Sequence, residues 1–266
     1  MQRPLLCVLI ILSACRGPLT LTAPGRASDA PGGEAFYKKI IPLPRERREE
    51  IALQQIMKGN MPAFLKKLVT IKTSIIDSSG NTVNAEYYVT PDYLSVGSNS
   101  DFARLPLTPM TAQKIADSFQ CFLPTRKMVN DIYRQAQVKL EPMPLYIHRD
   151  SALIFWHHHL IIEGQRKNRS GLIAGIKKDV VITGKILRDP KSNRVAIYGW
   201  HKPDGKPIQP LYTGHVDWYV DYSHGIRLVY RKIKVNGRWM DYTDVLKHPV
   251  YKALLCDEAF CDCFRY

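Results

Sequence analysis

Residues 194–231 read RVAIYGWHKPDGKPIQPLYTGHVDWYVDYSHGIRLVYR, and this stretch decides the fold. Arg194 to Trp200 is an apolar run rich in β-branched and aromatic residues, the composition of a strand. A second, longer strand is predicted around Trp218 to Val235. Upstream, Asp179 to Leu187 (DVVITGKIL) has the same character. The C-terminal half is therefore read as sheet.

The N-terminal half reads differently. Pro42 to Lys58 is predicted as a helix with Ile51, Ile56 and Met57 on its apolar side, stopped by Gly59-Asn60. Pro62 opens a short second helix, PAFLKKLV. Val69 to Ile76 and Thr82 to Thr90 are predicted to pair as a hairpin across Asp77-Ser78-Ser79-Gly80-Asn81. Further helices are expected over Thr111–Gln120, over Arg126–Leu140 behind a Thr125 cap, and over Arg149–Arg166. A last helix, bent at Pro249, runs from Asp244 to Leu255 behind Asp241 or Thr243. Asn236-Gly237 marks a turn, although Val235 and Arg238 do not frame a perfect hairpin. Helices and strands are segregated rather than alternating. The fold class is thus α+β, a mainly antiparallel sheet with helices packed on it in a single domain.

The opening stretch also carries most of the candidate chemistry. It holds His201, His215 and His224, three of the eight histidines, together with Asp204, Asp217 and Asp221. Along a continuous strand His215, Asp217, Tyr219, Asp221 and Ser223 would share one face, and His224 the other. That face is too polar for a core and suits the floor of a cleft. His224 joins it only if the chain breaks near Ser223, which Gly225 permits. His224 is then the general acid or base, Asp221 or Asp217 its partner, and Ser223 a neighbouring hydroxyl. The structural alternative is an outer edge-strand face with His224 buried and hydrogen-bonded. Cys121, just before a helix start, is the nucleophile candidate, since helix N-termini lower thiol pKa values. A buried structural cysteine, or half of a disulfide, is the simpler reading. His201, His215 and Asp217 supply donors that zinc takes, but their spacing matches no zinc motif. Trp200, Trp218, Tyr219 and Lys178 are candidates for holding substrate. Lys177-Lys178-Asp179 otherwise reads as a solvated charge run, and His157-His158-His159, facing different ways on a helix, as surface or partly buried residues.

Composition sets the context. The 266 residues are 45% hydrophobic, enough for a packed core, and carry a formal net charge of +14, which favours acidic partners. The charge is spread along the chain and no nucleic-acid module is recognisable, so nucleic acid is not expected as a partner. Met1 to Leu12 has a positive start and a short apolar core, too short to span a membrane. Leu12-Ser13-Ala14-Cys15 resembles the lipobox of bacterial lipoproteins. That resemblance implies a signal over residues 1–15, export, and lipid on Cys15, at the outer membrane if the source is Gram-negative, because Arg16 follows. The alternative is an ordinary secretory signal cut a little later. Residues 16–35 read as a flexible tether and 36–266 as the folded body. Pairing among Cys121, Cys256, Cys261 and Cys263 is left open.

Ser223-His224-Gly225-Ile226-Arg227 resembles the Ser-His-Gly-Cys-Ile-Arg stretch of L,D-transpeptidases, but the catalytic Cys is missing, so their activity is not carried over. PDYL with a following GS, Cys121-Phe122-Leu123-Pro124-Thr125, KKDVVIT, IYGWH with PIQPL, and VDYSHG are together similar to an uncharacterised family of exported bacterial proteins. That similarity implies a shared fold and brings no activity. The expected function is an exported hydrolase acting on a cell-wall peptide or glycan. The alternative is a non-catalytic lipoprotein that binds a saccharide or cell-wall strand through aromatic and basic residues.

Overall fold

The computed structural model describes residues 19–266. The expected signal over residues 1–15, with Cys15, lies outside the described residues. The helices are α1 (Gly33–Ile40), α2 (Arg45–Met57), α3 (Ala63–Lys66), α4 (Pro109–Ser118), α5 (Arg126–Gln135), α6 (Ala152–Arg166), α7 (Gly184–Leu187), α8 (Tyr242–Lys247) and α9 (Lys252–Leu255). The strands are β1 (Val69–Ile76), β2 (Thr82–Val89), β3 (Ser95–Gly97), β4 (Phe102–Arg104), β5 (Cys121–Phe122), β6 (Val138–Lys139), β7 (Ile173–Ala174), β8 (Lys178–Val180), β9 (Arg194–His201), β10 (Pro207–Val216), β11 (His224–Gly225), β12 (Val229–Tyr230), β13 (Lys232–Val235) and β14 (Arg238–Asp241). The α+β expectation holds. Ladders are antiparallel except β6–β7 and β8–β11.

Two main sheets carry the fold. In the first, β2 is central: β1 pairs along its whole length on one side, and β12 and β13 share the other. Its inward residues Val83, Ala85, Tyr87 and Val89 alternate with more exposed ones, the period-two signature of a half-buried strand. The second sheet has the order β10-β9-β8-β11. Seven of the eight residues of β9 are buried, Val195 to His201, as its unbroken apolar run requires, whereas edge strand β10 stays partly exposed. Helix α5 packs on both β1 and β9 and so ties the sheets together. Met128 and Ile132 on its inner face join Phe122, Ile197 and Val229 in the main core.

Helix starts follow their caps. Thr108, Thr125, Ser151 and Asp241 each accept a backbone N–H of the first turn. The Ser151 cap explains why α6 begins at Ala152 and not at Arg149. Helix α5 stops at Gln135, short of the expected Leu140, because Val138 and Leu140 alternate inward as a strand beside β7. Asn236 and Gly237 both take positive φ and form a two-residue turn, so Val235 and Arg238 do pair directly.

Two sequence expectations need correction. Residues 19–35 are not a free tether. Leu21 is buried, its amide donates to Lys66 at 2.7 Å, and Leu68 donates to Leu19 at 2.9 Å. The alternating Leu19-Thr20-Leu21-Thr22 behaves as a strand edge, a signal hidden by the surrounding Pro, Gly and Ala. The long strand over residues 218–235 is also broken, into β11, β12 and β13. Asp221 is the cause. Its carboxylate accepts the Ser223 amide at 2.8 Å and the Ser223 hydroxyl at 2.5 Å, which closes a local turn in place of a ladder.

Candidate functional site

The turn made by Asp221 gathers a polar cluster at the edge of the second sheet. Lys178 on β8 and His224 on β11 are directly paired residues of the parallel ladder, and the Lys178 amide donates to Ser223 at 2.8 Å. Strand β10 brings His215, and the turn after it brings Tyr219. The His215 and Tyr219 rings lie 4.5 Å apart and flank the His224 ring at 6.4 Å and 6.0 Å. Both are partly exposed, whereas His224 is fully buried. Gly225 fixes the close fit behind His224: a Cβ there would sit 2.6 Å from the Tyr93 ring and 2.7 Å from the Lys177 Cβ.

The hydrogen bonding within the cluster is uneven. Asp221 is saturated. Besides the two Ser223 donors it accepts Arg149 Nη2 at 2.7 Å and the Tyr219 hydroxyl at 3.3 Å. The His224 ring has none among the described residues: neither nitrogen finds a partner there, and its Nε2 stands 4.0 Å from an Asp221 oxygen. Burial pushes the His224 imidazole down to about 4, against the pull of Asp221, so the ring is neutral at neutral pH. Burial lowers His215 as well. Asp221 goes the other way. Burial alone would raise it, but His224, Ser223 and Lys178 hold it below the usual carboxylate range. Burial and Asp221 raise the Tyr219 hydroxyl to about 12. The result is a neutral imidazole with a free lone pair, beside a fixed anion able to stabilise it once protonated.

Behind this cluster lies a buried charged layer. Lys177, Lys178 and Asp179 are all buried, which corrects their reading as a solvated run. Lys177 Nζ donates to the Tyr222 carbonyl and meets His158 Nδ1 at 3.1 Å. Burial lowers this lysine to about 7. Asp179 accepts the Tyr93 hydroxyl at 3.4 Å and lies 3.8 Å from Arg227, and burial raises it to about 7. Arg104 is held by Asp92, by Glu163 at 2.7 Å and by His159 at 3.2 Å. His158 and His159 are therefore core residues, not surface ones. The sequence reading missed these partners, and Arg149 with them. Their signal was charge embedded in apolar runs, as in IKKDVVI and GIRLVY.

Other candidates fall elsewhere. Trp200 is buried and donates its Nε1–H to the Ile176 carbonyl at 3.0 Å, so it is a wall and not an open platform. Its φ of 57°, after 108° at Gly199, turns the chain sharply there. Trp218 is exposed, with the Arg45 guanidinium 4.8 Å from its ring. Cys121 lies in β5, not at a helix start, and its thiol donates to the Phe119 carbonyl at 3.4 Å. Burial pushes that thiol up, the opposite of an activated nucleophile. Cys256 and Cys261 form a disulfide, while Cys121 and Cys263 are free and buried.

The proposed zinc set does not assemble. In the β9–β10 hairpin His201 faces Pro207 while His215 faces Val195. Six residues of strand separate those positions, roughly 20 Å. His201 is tied to Asn130 at 2.9 Å and stacks on Tyr133 at 4.4 Å. The Asp217 amide donates to Asn193 at 2.8 Å. Among the described residues no three His, Cys, Asp or Glu side chains converge to hold a metal. No described helix is long and apolar enough to cross a membrane. Comparison with known proteins finds no matching family model, no matching curated protein and no matching solved structure.

Proposed function

We propose that the cluster around His224 is the acid/base centre of a hydrolase acting on an extracytoplasmic polymer, a cell-wall peptide or glycan. One observation carries the reading: a fully buried, neutral imidazole with both nitrogens unpartnered among the described residues, 4.0 Å from an ionised carboxylate. A buried unsatisfied polar group costs about 1–3 kcal/mol, and native proteins retain few of them. In this reading His224 takes a proton from the attacking water. Asp221 stabilises the imidazolium by charge, without a hydrogen bond. Both ring nitrogens of His224 are closed off from solvent at rest, so water and substrate reach them when the partly exposed His215 and Tyr219 rings move aside. Ser223 shapes the turn and is no nucleophile, because its hydroxyl donates to Asp221 and not to a histidine. The Cys256–Cys261 disulfide fits an oxidising compartment, in keeping with export and with a lipid on Cys15.

The binding-only alternative keeps one specific support, the exposed Trp218 ring. Digestion of purified peptidoglycan sacculi separates the two readings. The hydrolase reading expects soluble fragments from the wild type and none from a folded His224→Gln protein that still sediments with sacculi. Sedimentation that depends on Trp218, with no fragment from either protein, sinks it.

A further inference from the structure

The charge balance of the same cluster names a ligand chemistry; the argument rests on taking the His224 cluster as the functional site. Asp221 is matched by Arg149, at 2.7 Å. Asp179, next to Lys178 in sequence, points to the other side of β8, where it meets Tyr93 and Arg227. Lys178 is left over. Among the described residues its Nζ makes no hydrogen bond and no ion pair within 4 Å, and it lies over the face of Trp200, 4.7 Å from the ring centroid. The side chain is buried, yet Nζ still touches solvent, unlike the two sealed ring nitrogens of His224. Asp221 acts on this ammonium through space but is already ion-paired with Arg149, so the pair of cations outnumbers the one carboxylate and an incoming anion balances the excess.

We propose that Lys178, with His224 beside it and His215 at the open side, forms a binding site for a substrate oxyanion, a carboxylate or a phosphate. The Lys178 ammonium supplies the charge. The His224 imidazole, paired with Lys178 in the ladder, lies beside the bound anion and senses it. The Trp200 face positions the ammonium through a cation–π contact, and Arg149 is engaged by Asp221.

The test titrates the wild-type protein with acetate and with inorganic phosphate, following histidine side-chain nitrogens by NMR and affinity by calorimetry. The expected result is saturable binding that shifts the His224 and His215 ring signals. Lys178→Met should weaken it by about tenfold or more, the worth of one charge-assisted hydrogen bond, while Lys178→Arg should retain it. Tighter binding of acetate identifies a carboxylate source, and tighter binding of phosphate a phosphoryl source. No saturable shift at His224 with either anion, or unchanged affinity in Lys178→Met, overturns the assignment. A protein that binds the anion here yet leaves sacculi intact keeps this inference and loses the hydrolase. A protein that digests sacculi without binding either anion loses this inference alone.

Discussion

Replacing His224 by glutamine should flatten the acid limb of the stability curve. The imidazole sits at about 4 in the folded protein and near 6.5 in the unfolded chain. As pH falls through 6.5 the unfolded chain therefore binds the proton first. The folded state keeps its full margin above that pH and loses it progressively toward pH 4. Integrating the two titrations between pH 7 and pH 5 gives a loss of about 2 kcal/mol from this one residue. His158, His159, His201 and His215 are lowered too, but they remain in both proteins and to first order cancel in the comparison. The assay is urea unfolding followed by tryptophan fluorescence, on wild type and His224→Gln at both pH values. The wild type should lose about 2 kcal/mol more than the variant on acidification. An equal loss in both proteins would refute the reasoning, because it would mean that His224 is already hydrated or charged when folded.

Other expectations follow from named contacts. Arg104→Met strips the buried Asp92 of its partner and should cost about 3–5 kcal/mol in unfolding experiments; pairing it with Asp92→Leu should recover part of that loss, and a near-neutral single change would contradict the ion-pair account. Gly225→Ala forces a methyl into the Tyr93 ring and the Lys177 stem and should destabilise by about 1–3 kcal/mol while shifting the His224 ring signals; unmoved signals would mean that the strand does not fix the imidazole. Cys121 should resist thiol reagents in the native protein and react once urea unfolds it, and rapid native labelling would restore it as a nucleophile candidate.

Much of the fold was legible because local and tertiary signals agreed. The β1–β2 hairpin and the capped start of α5 follow directly from β-branched runs and from Thr125, whereas α4 starts at Pro109, two residues before the expected Thr111, because Thr108 caps it. The region after Val216 was not legible as drawn. Aromatic and β-branched content there predicts one strand, but Asp221 offers its own carboxylate to the backbone and wins locally. That break brings His224 to the side of Asp221, Tyr219 and His215, the outcome the sequence reading had made conditional on a bulge at Ser223. His201 was grouped with them by nearness in sequence, and hairpin register moves it to the far end; Asp217 was grouped by strand alternation, which the turn after β10 breaks. Arg149 and Lys177 were out of reach for a different reason. Their partners are 72 and 19–45 residues away in the chain, and no local pattern encodes such pairs.

The central claim is that His224 activates water for hydrolysis. Digestion of purified sacculi in heavy-oxygen water tests it most directly, with the released fragments read by mass spectrometry. The account predicts one heavy oxygen at each newly cleaved bond from the wild type, and none from His224→Gln at equal folding and equal loading. Fragments released by both proteins alike, or fragments carrying no solvent oxygen, would contradict it.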